Sequence, residues 1–267
     1  MPIEALLVTL TLTLTLAVEP RELMRQSLAR LEESNRRIAD YGYVRHNERK
    51  EFSAAGALKS QRTWTVKREP IEGVMVMHLV ERDGKPVPAE ERARIDEAIR
   101  KYVAEAKVNP PEPPRPRGSS DEEAWLKEFP DALDYRPAGE ETIRDRTALV
   151  LECSPNRTYR PKNMRARVFE KTRGRVWIDK LTSDLIRADV EVFDTVSIGW
   201  GMLGRIEKGT RFYLDRRPVD DTYLPDTQTI RFGARMMLFK TMHNEVTTRY
   251  SGFRRRPPST SGTPPTL

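Results

Sequence analysis

Residues 184–194 constrain the chain more than any other stretch. Ile186, Ala188, Val190 and Val192 alternate with Arg187, Asp189 and Glu191. Successive side chains of a strand point to opposite faces, so this alternation predicts a strand with one dry and one wet face. A sheet buried on one side only also suits a chain that is 37% hydrophobic and 33% charged. Its mean hydropathy is -0.66, and apolar residues this sparse fill thin layers more readily than a broad core.

The periodicity changes along the chain. Leu23, Met24, Leu28, Leu31 and Ile38 recur at helical spacing and predict an amphipathic helix over 20–39, with Pro20 in the first turn where proline is tolerated. Strands follow at 41–52 and 58–68, joined at Ser53-Ala54-Ala55-Gly56, with Trp64 and Val66 on one face. Residues 74–82 form a third strand, apolar on both faces. Residues 88–106 read as a charged helix whose apolar stripe is Ile95, Ile99, Tyr102 and Val103. Five prolines among residues 109–117 exclude helix and central strand, so about 107–136 is read as an insertion, including a short helix with Trp125, Leu126 and Phe129. Strands resume at 139–145, 147–153, 174–179, 184–194, 210–215, 227–233, 235–241 and 244–250, with a short helix at 163–172. The tail, 254–267, is basic and then rich in Pro, Ser and Thr, and is expected to be disordered. Many strands and few helices indicate an α+β fold, one domain over 18–253.

Residues 5–18, ALLVTLTLTLTLAV, are too short to span a bilayer comfortably and fit the apolar region of a signal peptide over 1–17. Glu4 and the lack of a preceding Lys or Arg are atypical, and a buried strand of alternating Thr and Leu is the other reading. Export implies a periplasmic location. The net charge of +7 is spread out, with only Arg254–Arg256 in a run, so nucleic-acid binding is not expected.

Motifs for catalysis are absent. His46, His78 and His243 have no ligand-spaced partners, and the sequence contains no HExxH, CxxC, Gly-rich phosphate loop or GxSxG. Cys153, the one cysteine, reads as a buried structural thiol. Neither metal nor cofactor is expected, and the chain is read as a binding protein and not an enzyme. Residues 74–80 and 236–239 are apolar on both faces, and nine methionines supply adaptable surface. An ordinary core gives the same pattern as a ligand cavity. The cavity candidates are Trp64, Val66, Met75, Met77, Trp177, Ile186, Val190, Met237 and Phe239.

Residues 174–194, GRVWIDKLTSDLIRADVEVFD, resemble a Gly-x-hydrophobic-Trp-Ile-Asp segment and its following strand in the LolA/LolB-like superfamily of outer-membrane lipoprotein-sorting proteins. Gly209–Tyr213, Tyr223-Leu224-Pro225 and Tyr250-Ser251-Gly252-Phe253-Arg254 resemble later strands of that family, and Tyr41–Phe52 with 61–68 its first hairpin. The resemblance implies a strongly curved antiparallel sheet, an incomplete β-barrel, with helices packed on its concave side. It also implies a monomeric carrier of lipoprotein acyl chains or another apolar envelope ligand. Related envelope-stress proteins use a similar sheet for sensing, so a sensor or protein-interaction module is the competing expectation.

The export reading predicts that N-terminal sequencing of chain recovered from a periplasmic extract starts near Val18. Recovery from the cytoplasm of a chain still starting at Met1 contradicts it.

Overall fold

The computed structural model describes residues 19–110, 124–198, 204–236 and 240–256. The expected signal peptide, most of the proline-rich segment and the end of the tail lie outside these residues.

The chain opens with helix α1 (Pro20–Arg37), whose first turn is capped by the Glu19 carboxylate accepting from the Glu22 N–H. A 3-10 turn, Ile38–Asp40, leads into β1 (Tyr41–Phe52), β2 (Leu58–Ile71), β3 (Val74–Arg82) and the two-residue β4 (Lys85–Pro86). Helix α2 (Ala89–Val108) follows. After a 3-10 turn at Ala124–Glu128 and the one-turn α3 (Phe129–Ala132) come β5 (Leu133–Ile143) and β6 (Arg146–Pro155). A 3-10 turn over Arg165–Lys171 precedes β7 (Thr172–Asp179) and β8 (Leu185–Val192). Short β9 (Val196–Ile198) and β10 (Gly204–Ile206) come next, then β11 (Arg211–Val219), β12 (Thr222–Met236) and β13 (Lys240–Arg255).

All pairings are antiparallel. The main sheet has the order β4-β3-β2-β1-β13-β12-β11-β8-β7-β6-β5, with the β9–β10 hairpin attached to β12. The ends do not meet, so this is the expected incomplete barrel. Register shifts at Gly42/Val44, Glu51/Phe52, Thr65/Val66, Pro137/Glu140, Trp177/Ile178 and Asp215/Arg216 mark bulges, which bend strands and strengthen their twist. The two strands expected at 227–233 and 235–241 are corrected here: β12 runs unbroken to Met236. The interruption read at Ala234 is only a small residue, 4% exposed, within a strand. β13 also extends through Arg254 and Arg255, which pair with Gly42 and Tyr41.

Helix α1 seats Leu23 and Met24, 8% and 0% exposed, on Leu151, Val176, Ile178, Leu185, Ala188 and Leu214. Leu28 and Leu31 extend the contact. The helix runs across the strands. Arg21 and Arg25 near its start pair with Asp134 and Asp131 beside β5. Ser34 and Arg37 near its end meet Thr222 and Asp221 beside β12. An 18-residue helix is about 27 Å long, and the five strand spacings from β12 to β5 come to about 24 Å, so α1 covers that half of the sheet and no more. Helix α2 lies along β3 at the other edge.

Gly174 is required by a close approach. A Cβ there would lie against the Asp189 carbonyl oxygen and 2.7 Å from the Val190 Cα. Gly174→Ala should lower unfolding stability by about 3 kcal/mol, the cost of forcing atoms into a packed interior, read as a shift in the urea midpoint. An unchanged midpoint contradicts this packing.

Candidate functional site

Cross-strand register carries one face of the sheet from beneath α1 to the far edge. Leu214, under the helix, pairs with Gln228, and Phe212 pairs with Ile230. Gln228 and Ile230 pair with Thr248 and Val246 on β13, which pair in turn with Asn47 and Arg49 on β1. Asn47 and Arg45 pair with Trp64 and Val66 on β2. Val66 and Arg68 then pair with Leu79 and Met77 on β3, and Pro70 with Met75. Directly opposed residues share a face, so Trp64, Val66, Met75 and Met77 stand on the α1 side, beyond the reach of α1. Met77 is 44% exposed and Ile230 46%, while Trp64, Val66, Met75 and Leu79 are half-buried. Val76, on the alternate face, is buried.

One end of this uncovered half is walled by rings. Tyr43 meets Tyr250 edge-on at 5.5 Å and Phe253 at 5.8 Å, and Tyr250 stacks on Phe253. Burial raises the Tyr43 hydroxyl pKa above its ordinary value. The Arg68 guanidinium lies over Tyr43 and donates to the carbonyls of Ile38, Ala39 and Tyr41, fastening β2 to the turn after α1. Arg45 differs. It lies between Val66 and Tyr250, its Nε is buried with no hydrogen-bond partner, and it makes no ion pair among the described residues. Reading the sequence alone missed Arg45, because only the register shows that this cation shares a face with Val66.

The remaining candidates lie elsewhere. Trp177 and Ile186 are on the opposite face, packed with Ile143, Ala148, Val150 and Tyr223. Trp177 Nε1 donates to Glu141. The expectation that Ile186 shares a face with Ala188 and Val190 fails at the Trp177/Ile178 shift. There Trp177 opposes Arg187 and Ile178 opposes Leu185, so Ile186 is the extra residue of the bulge. Val190 is on the α1 side but packs against Phe169, Cys153 and their neighbours. Met237 and Phe239 lie outside the described residues.

Beneath α1, Met24, Val176 and Ile178 pack together at no more than 1% exposure. An open trough of about 920 Å³ lies on the other face, lined by Arg136, Glu152, Arg175, Asp189 and Arg211 among others. Those charges already pair: Arg136 and Arg175 with Glu152, Arg211 with Asp189. Among the described residues no cluster of His, Cys, Asp and Glu could hold a metal. His46 lies 3.1 Å from Thr65, while His78 and His243 face Glu69 and Glu207. Burial pushes the Cys153 thiol up to about 12, which leaves it an inert core group.

Asp179, 1% exposed, is the polar hub beneath the covered half. It accepts from Arg146 Nε at 2.8 Å, the Tyr223 hydroxyl at 2.7 Å and the N–H groups of Leu181 and Thr182. Burial alone would raise its pKa, but these donors outweigh burial and hold it at about 2, below the usual 3.8. A depressed carboxylate contributes stability that is fully present above its unfolded pKa and lost as pH falls through the folded one. Between pH 3.8 and 2 this group should therefore account for about 2 kcal/mol of lost stability. In urea titrations from pH 7 down through that range, Asp179→Asn should be less stable at pH 7 and flatter in acid. An acid profile as steep as the unsubstituted chain's contradicts the hub.

No family model matches the chain, and no curated protein does. It is similar in fold to solved structures that include the following three. A DUF1329 family protein from Desulfovibrio piger is 10% identical with a TM-score of 0.33, covering 89% of this chain and 93% of that one. An outer membrane lipoprotein-sorting protein domain from Vibrio parahaemolyticus is 13% identical with a TM-score of 0.32, covering 90% and 93%. A LolA superfamily protein from Nitrosomonas europaea is 11% identical with a TM-score of 0.29, covering 92% and 99%.

Proposed function

We propose that this chain is an exported binding protein that holds an apolar ligand carrying an anionic head, such as an acyl chain ending in a carboxylate, against the uncovered half of its sheet. One observation carries the reading: Met77, Trp64, Val66, Met75 and Leu79 form an incompletely covered apolar surface on the α1 side of the sheet, with Arg45, which has no ion-pair partner among the described residues, beside them. Each methylene laid on such a surface contributes about 0.8 kcal/mol, so affinity needs few polar contacts. A half-buried cation without a partner favours an anion beside the chain. The apolar stretch at 5–18 supports export to the periplasm, and among the described residues no helix is long and apolar enough to cross a membrane.

A second reading draws on α2. Its Tyr102 and Val108 are 43% and 78% exposed, which suits a protein partner docking there in an envelope sensor. Deleting 109–120 separates the two. Lost partner capture with intact ligand binding supports docking at α2, whereas lost ligand binding does not.

Titration with a fluorescent long-chain fatty acid, checked by native mass spectrometry, tests the proposal. Met77→Asp should weaken uptake roughly tenfold or more by putting a charge where methylenes lie. Arg45→Ala should weaken the fatty acid but not the matching fatty alcohol. No uptake, or uptake indifferent to Met77→Asp, refutes this site.

A further inference from the structure

The segment joining β6 to β7 carries six basic residues and one acidic residue over 156–171. Arg157, Arg160 and Lys162 are exposed, as is Lys127 on the neighbouring turn, and none of the four makes an ion pair with a carboxylate among the described residues. Two apolar side chains stand among them, Met164 at 48% exposure and Leu126 at 40%.

The surface is held in shape from below. The Glu128 carboxylate, 8% exposed, accepts from the Tyr159 hydroxyl, the Lys162 N–H at 3.1 Å and Asn163 Nδ2 at 2.9 Å. Asn163 Oδ1 in turn accepts from the N–H groups of Arg165 and Ala166. Glu128 therefore spends its charge inside the loop and fixes the 126–128 turn against 159–163. Other described acids nearby are occupied: Glu170 faces Arg167, Asp131 faces Arg25 and Asp134 faces Arg21.

We propose that this end of the molecule docks on the surface of an anionic phospholipid bilayer, with Lys127, Arg157, Arg160 and Lys162 at the headgroups and Met164 and Leu126 entering the interface. Basic side chains near a charged leaflet are attracted individually, and exposed apolar side chains add a contact that a dissolved anion cannot offer. The inference is independent of the ligand on the uncovered half of the sheet, because the two surfaces share no residue.

Sedimentation of the full chain with vesicles tests it. The chain should pellet with equal parts phosphatidylglycerol and phosphatidylcholine, fail to pellet with phosphatidylcholine alone, and dissociate as salt screens the charges. The triple variant R157E/R160E/K162E should bind the mixed vesicles roughly 100-fold more weakly, about fivefold for each basic group lost. Met164→Ser should weaken binding severalfold at low salt. Lys127→Glu lies on a separate turn and reads the same surface if the triple variant loses its thermal transition. Soluble glycerol phosphate should not displace the vesicles. Equal pelleting with phosphatidylcholine alone, unaltered pelleting of both charge-reversed variants, or full displacement by glycerol phosphate overturns the proposal.

Discussion

The length of one helix governs the rest of the structure. A sheet of eleven strands side by side is about 48 Å across, and α1 reaches about 27 Å. Its anchors show where that reach is used, from Asp131 and Asp134 beside β5 to Asp221 and Thr222 beside β12. Beneath it the interior closes, with Met24, Ile178 and Val176 almost wholly removed from water. Beyond it the same face continues through β13, β1, β2 and β3 without comparable cover among the described residues. The open apolar surface is thus a consequence of geometry, and needs no special residue to create it.

Buried polar groups tie together the strands of the covered half. Asp179 binds Arg146 and Tyr223, and Arg216, 1% exposed, donates to the carbonyls of Leu185 and Tyr223. Burial lowers the Arg216 pKa to about 10, so it stays charged at neutral pH with its donors directed at carbonyl oxygens. Satisfied buried groups of this kind fix one arrangement of β6, β7, β8 and β12, because breaking any of them strands a charge away from water. On the uncovered half the Arg45 Nε has no hydrogen-bond partner, as is true also of Arg21 Nε and Arg217 Nε, and Met77 is exposed.

Much of the fold was legible in the residues. The helix expected at 20–39, the strands at 41–52 and 74–82 and the alternation of β8 from Arg187 onward all follow from local periodicity, and the structure places them within a few residues. The site was only half legible. Trp64 and Val66 share one face as period two requires, and Met75 and Met77 join it only through the pairing of β2 with β3. Ile186 does not, because a bulge shifts the count by one residue, and a bulge leaves no trace in hydrophobic alternation alone. Trp177 stands on the other face, because Val176 and Ile178 on either side of it are the residues that α1 buries. Arg45 could not be found from sequence at all, since its neighbours Val66 and Tyr250 come from distant strands.

The central claim is that ligand meets the uncovered half and leaves the covered half undisturbed. Methionine methyl groups report on both, since Met75 and Met77 lie on β3 and Met24 under α1. NMR spectra of chain labelled at the methionine methyls, recorded during titration with a long-chain fatty acid, should show the Met75 and Met77 signals moving while the Met24 signal stays in place. Movement of Met24 with Met75 and Met77 unchanged would place the ligand beneath the helix and contradict the account.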